Sequence, residues 1–235
     1  MRAPSILPVL ALFVALAPAA AWANGDATDD SALRDELAGC AREAALAVQG
    51  HYESVRDIAA NFSQATHSVA LGTGSAAGSG QMSGQVVFAK PGKMRWSYTE
   101  PAPSLVVSDG ELLWIYDPEA REAQRLKVTA GYLTGAALSF LLGEGDLLEQ
   151  YSVRAEECSG DQVDLELTPR GEAAYERLGL RVVRASGEVR ATRIVDLFGN
   201  LTEISFSELR TNQDPPASTF DFDPPSDVRV IDLAQ

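Results

Sequence analysis

Residues 87–118 read VFAKPGKMRWSYTEPAPSLVVSDGELLWIYDP, from Val87 to Pro118. Three extended segments separated by turn chemistry are legible in this stretch. Met94, Trp96 and Tyr98 alternate with Lys93, Arg95 and Ser97. Side chains on a strand alternate with period two, so the segment has one apolar face and one wet face. The runs Leu105–Ser108 and Leu112–Tyr116 flank Asp109-Gly110. Asp-Gly between apolar runs predicts a two-residue hairpin, because both central positions of that turn want positive φ. Such a one-sided antiparallel sheet either covers a core or lines a cavity.

Further strand-like runs surround this block. Ala60, Phe62 and Gln64 lead into an extended run ending near Leu71, and Gln81–Ala89 follows. Beyond the block come Glu122–Val128, Tyr151–Ala155, Gln162–Thr168, Leu178–Arg184, Val189–Asp196 and Thr202–Leu209. STFDFDPP closes the series, with Phe220 and Phe222 on one face and acids on the other. Two helical pieces interrupt it. Ser31 is positioned to cap the first, in which Leu33, Leu37, Cys40, Ala44 and Val48 recur at helical spacing up to about Ser54. The second is a short apolar segment between Ala130 and Leu142, bounded by glycines. The expected fold is mainly β (α+β), a single antiparallel sheet of about eleven strands that curls into an incomplete barrel to bury one face.

The N-terminus predicts the compartment. Arg2, the apolar run Ile6–Leu16 and Ala21-Trp22-Ala23 fit a secretory signal cleaved after Ala23. Residues 1–23 are expected to be removed and residues 24–235 to form one soluble exported domain, with no cysteine placed for a lipid anchor. The chain carries a net charge of −14, which excludes nucleic acid as a natural partner and suits a monomer that stays in solution. No later run is long and apolar enough for stable membrane insertion. Cys40 and Cys158 are the two cysteines. An exported chain permits a bridge between them, tying the first helix to a distant turn; two separate thiols are the alternative.

No catalytic constellation is legible. His51 and His67 sit in no ligand spacing, and the chain has neither a GxSxG elbow nor a GxxxxGK[ST] loop. Gly72, Gly74 and Gly78 are followed by a strand pattern, the wrong context for a dinucleotide loop. The acids scatter along solvent faces. The expectation is a protein that binds and does not catalyse, with no cofactor and no metal. Met94, Trp96, Tyr98 and Trp114 are the candidate lining of an apolar cavity, since Met is adaptable and aromatics carry large contact area. Leu138, Phe140, Leu141 and Leu142 lie in the glycine-bounded segment, a candidate lid.

NFSQ at 61–64, the FAKPGKMRWSYTEP and VVSDGELLWIYDP blocks, LTPR at 167–170 and FDFDPP near the end resemble, in this order and spacing, the periplasmic outer-membrane lipoprotein carrier family, LolA. The resemblance implies an incomplete barrel whose concave apolar face, lined by Met94, Trp96 and Tyr98, is covered by lid helices. It also implies cargo accepted from an inner-membrane ATP-driven release complex and handed to an outer-membrane acceptor. Lys90, before Pro91, stands where the family usually has an arginine that latches the lid. Lysine offers a flexible point charge in place of a planar fork. A glycolipid or other acylated metabolite as cargo, and a periplasmic lipoprotein-sensing module, are the alternatives the same fold allows.

Overall fold

Strand β3 (Lys93–Glu100) sits inside one sheet of twelve strands. The computed structural model describes residues 27–69, 80–128, 146–158 and 160–234, with side chains from Asp35 onward. Helix α1 (Ala27–Ser54) leads into β1 (Asp57–His67), β2 (Gly80–Ala89), β3, β4 (Ser104–Ser108), β5 (Leu112–Asp117) and β6 (Glu122–Lys127). A single-turn helix α2 (Leu147–Gln150) opens the second run, β7 (Tyr151–Ala155), β8 (Gln162–Pro169), β9 (Tyr175–Val183), β10 (Val189–Asp196), β11 (Leu201–Thr211) and β12 (Arg229–Asp232). The order across the sheet is β12-β6-β5-β4-β3-β2-β1-β11-β10-β9-β8-β7. β12 and β7 are its two edges, so the sheet curls without closing. The fold is the expected mainly β, incomplete barrel, with twelve strands among the described residues where the sequence predicted about eleven.

That extra strand is β12, and it runs parallel to β6. After β11 the chain straps across the outer face and arrives at the far edge already pointing the same way as β6. Ion pairs Arg229–Glu122 and Arg125–Asp232 hold its register. The strap itself corrects another expectation. STFDFDPP is not a strand: Ala217–Phe220 is a 3-10 turn, and Pro215, Pro216, Pro224 and Pro225 around it have no N–H to give to a ladder.

The hairpin after β4 also differs from its prediction. Ser108 pairs with Leu113, leaving a four-residue loop, and only Gly110 within it has positive φ, +101°. The Asp109 carboxylate accepts the N–H groups of Glu111 and Leu112, both at 2.8 Å. This side-chain turn replaces the second positive-φ residue that a two-residue loop needs.

Helix α1 begins at Ala27, so Ser31 lies inside it and not at its N-cap position. Its buried stripe is Cys40, Ala41, Ala44, Ala45, Val48 and Tyr52. Small residues let the helix lie close on the β7–β9 half of the concave face, against Tyr151, Val163, Leu165, Leu178, Leu180 and Val182. Gly187, at φ +73°, marks that approach: a Cβ there would meet the Ala47 carbonyl oxygen at 2.1 Å. Cys40 and Cys158 form a disulfide with Cα atoms 6.3 Å apart, joining α1 to the β7–β8 connection.

Candidate functional site

Cross-strand register assigns every strand residue to a face, because directly paired residues point the same way. Ile58, Ala60 and Phe62 on β1 pair with Phe88, Val86 and Gly84 on β2, which pair in turn with Met94, Trp96 and Tyr98 on β3. On the other side of β1, Phe62 and Gln64 pair with Phe206 and Ile204 of β11, and Ile204 pairs with Thr192 of β10. All belong to the concave face.

Met94, Trp96 and Tyr98 are therefore brought together as the sequence predicted, but not as a bare lining. Met94 and Trp96 are buried, Trp96 with 7% of its surface exposed. The Trp96 ring meets Phe62 edge-on at 4.7 Å and Phe88 at 5.6 Å, and stacks on Tyr98 at 6.3 Å. Tyr98 meets Phe62 at 5.1 Å. Edge-on and offset contacts of this kind add about 0.5–1.5 kcal/mol per pair beyond area burial. The result is a rigid aromatic wall, and burial pushes the Tyr98 hydroxyl above its usual pKa.

The wall continues where α1 does not reach. Tyr98, Val106, Ile194, Ile204, Phe206 and Leu209 are half-buried and packed against the core. Ile115, on the same face through its neighbour Val106, is 37% exposed. Neither Phe62 nor Phe206 was among the sequence-predicted site residues; alternation along β1 and β11 could have pointed to them, but only the register shows that they complete the wall of β3.

Trp114 is corrected. It pairs with Val107, and Val107 pairs with Arg95, so Trp114 lies on the outer face, opposite Trp96. There it meets Phe222 of the strap at 5.6 Å, and the Arg125 guanidinium lies 5.7 Å from its ring centre. Leu105, Val107, Ala123 and Phe220 are buried on this side, in a second, smaller core that Trp114, half-buried, adjoins. Arg95 ties the strap down by donating to the Thr219 carbonyl at 3.1 Å, and the Lys93 ammonium lies 5.9 Å from the Phe220 ring centre.

Lys90 sits at the end of β2 and donates from Nζ to the Tyr52 carbonyl in the last turn of α1, at 2.6 Å. That carbonyl is one of the acceptors a helix end leaves without an intrahelical partner. The Tyr52 hydroxyl oxygen accepts the Val189 N–H at 3.1 Å, and burial raises its pKa to about 12. Burial also lowers the Lys90 pKa, an effect the neighbouring Glu53 opposes. Lys90 thus grips α1. The candidate lid residues Leu138, Phe140, Leu141 and Leu142 lie outside the described residues, as do residues 1–23.

Among the described residues, no three His, Cys, Asp or Glu side chains converge as a metal site, and no helix is long and apolar enough to cross a membrane. What the arrangement offers chemically is hydrocarbon contact, adaptable at Met94 and at Met82, which pairs with Gln64, and rigid at the aromatics.

The family model of the outer membrane lipoprotein carrier protein LolA matches residues 53–223, which is β1 through the strap. An outer-membrane lipoprotein carrier protein of Dechloromonas aromatica is 37% identical over 154 residues, covering 64% of this chain and 72% of that protein. One of Cupriavidus pinatubonensis is 33% identical over 153 residues, covering 65% and 71%. A solved structure, an uncharacterized conserved protein of Thermus thermophilus, shares the fold with a TM-score of 0.51 at 12% identity, over 82% of this chain and 98% of that one. Helix α1 up to Tyr52, with its half of the disulfide, falls outside the span matched by the family model. On the matched span and these identities, the chain belongs to the outer-membrane lipoprotein carrier family, LolA.

Proposed function

We propose that this chain is a periplasmic lipoprotein carrier that holds acyl chains against its concave aromatic wall. It receives acylated cargo from a release complex of the inner membrane and delivers it to an acceptor at the outer membrane. The observation that carries this reading is the half-buried apolar part of the concave face, to which Tyr98, Val106, Ile115, Ile204 and Phe206 all belong by register. Family membership supplies the cargo class.

The physical account is a balance. Each methylene withdrawn from water is worth about 0.8 kcal/mol, so a free acyl chain would anchor or aggregate its protein. Apolar contact alone shields the chain without a polar lock, and release then needs only a better apolar site elsewhere. In this reading Lys90 acts as a latch on α1, holding the helix end beside the wall through the Tyr52 carbonyl. The disulfide keeps the other half of α1 seated on β7–β9, so cargo enters on the β1–β6 side.

Lipid extraction and mass spectrometry of the protein purified from its native periplasm tests this directly. Co-purified acylated peptides support the lipoprotein reading. A glycolipid or a free acylated metabolite in their place would change the cargo, and extracts free of any acyl species would end the proposal.

A further inference from the structure

Two large apolar side chains stand in water at one end of the sheet, where β10 turns into β11. Phe198 is 85% exposed and Leu197 65%. Val69, 54% exposed, lies beside them: its Cγ2 is 3.2 Å from the position a Cβ on Gly199 would take. The three make one convex tip.

The backbone beneath the tip is clamped. The Asp196 carboxylate accepts the N–H of Phe198 and of Asn200, both at 2.8 Å, and the Asn200 side-chain amide at 2.7 Å. The Asn200 side-chain oxygen Oδ1 accepts from the Val69 N–H and the Ser68 hydroxyl, both at 3.1 Å. Gly199 supplies the positive φ, +84°, and donates to the Asp196 carbonyl at 3.0 Å. A turn held on this many bonds presents Leu197 and Phe198 outward and gives them no route to fold back on the sheet. Burial of such side chains is favourable, and the described fold leaves both without it.

We propose that this tip is a wedge that enters the headgroup–acyl boundary of a zwitterionic phospholipid bilayer. The placement rests on the carrier reading, because it sets one mouth of the concave wall at the membrane where an acyl chain enters or leaves. Ile194 of that wall is two residues before Asp196, and Ile204 is four residues after Asn200 on the paired strand.

Shape and charge select the partner. A convex point of two or three apolar side chains matches a fluid interface, which needs no preformed pocket. Charges around the tip are already paired: Arg193 with Glu203 at 2.6 Å, and Arg177 with Glu176 and Glu166. No cationic collar is left among the described residues to seek anionic lipid, and the net charge of −14 repels it. Two side chains give a weaker hold than one lipid chain, itself only marginal and reversible, which suits a protein that must leave again.

The test is flotation of the purified chain, without cargo, on phosphatidylcholine vesicles. Leu197→Ser combined with Phe198→Ser should lower the bound fraction about tenfold, since both positions are exposed and the clamp uses neither side chain. In a separate Phe198→Trp variant, the added indole should shift to shorter wavelength on vesicles and be quenched by acyl-brominated lipid. Equal flotation of wild type and double variant, an unshifted indole, or stronger binding to phosphatidylglycerol vesicles would each overturn the wedge. So would loss, in the double variant, of a concentration-dependent self-association, the mark of a contact between copies. Acyl-probe binding in vesicle-free solution should be the same in wild type and double variant. Failure of the wild type to bind that probe would count against the carrier reading and leaves the flotation result to be read separately.

Discussion

Trp96 and Trp114 stand on opposite faces of one sheet, the first paired with Val106 and the second with the adjacent Val107. Both are aromatic residues on strands of the same half of the sheet, yet one belongs to the concave wall and the other is held under the C-terminal strap. Truncating Trp96 to Leu removes ring contacts with Phe62, Phe88 and Tyr98. Affinity for an acyl probe should fall about tenfold, and Trp114→Leu should leave it within about twofold. Fluorescence titration with a fatty-acyl peptide checks both. Trp96→Asp is a poorer choice, because a carboxylate set among those rings would be buried unpaired and would unfold the wall.

Removing the Lys90 ammonium takes the shorter of two hydrogen bonds from the Tyr52 carbonyl, which also accepts the Val55 N–H at 3.4 Å. Lys90→Met should cost about 1 kcal/mol in denaturant unfolding, and Lys90→Arg should recover most of it. If Lys90 acts as the latch, Lys90→Met should also speed probe exchange, seen in stopped-flow release.

The disulfide closes a loop with a sequence separation of 118. Chain-entropy reasoning assigns such a closure about 4–5 kcal/mol at room temperature. Cys40→Ala with Cys158→Ala should lower the thermal midpoint, and dithiothreitol should lower that of the wild type but not of the double variant.

Arg181 grips Asp164 with two hydrogen bonds of 2.9 Å, and this fork holds the Asp164 carboxyl below the usual carboxylate range. The stabilisation is present above the unfolded-state pKa, near 4, and is lost as pH falls through the lower folded value. Both side chains are about a third exposed or more, so the contribution is under about 1 kcal/mol. Asp164→Asn should be the less stable protein at about pH 7, and the two melting curves should converge once the pH falls below the lowered folded-state value of Asp164.

The period-two alternation of β3 made its face legible, because one residue type pattern maps directly onto the pleat. The Ala-rich stripe of α1 was legible for the same kind of reason, at helical spacing. Trp114 was not, because its face depends on what lies over the outer side of β4 and β5. Leu105-Val106-Val107 and Leu112–Tyr116 are continuous apolar runs, and such runs signal burial on both faces. That signal, together with four prolines around Phe220 and Phe222, would have pointed to a covered outer face and a strap. The partner of Lys90 was illegible too, since the Tyr52 carbonyl is a backbone atom brought close only by the seating of α1.

The central claim is that hydrocarbon lies on the concave wall. A diacylglyceryl peptide carrying a diazirine within one acyl chain, photolysed on the protein and mapped by tandem mass spectrometry, tests it most directly. Adducts at Tyr98, Val106, Ile115, Ile204 or Phe206 are the predicted result. Adducts confined to Trp114, Tyr116 and Phe222, or none above an unlipidated control, would contradict it.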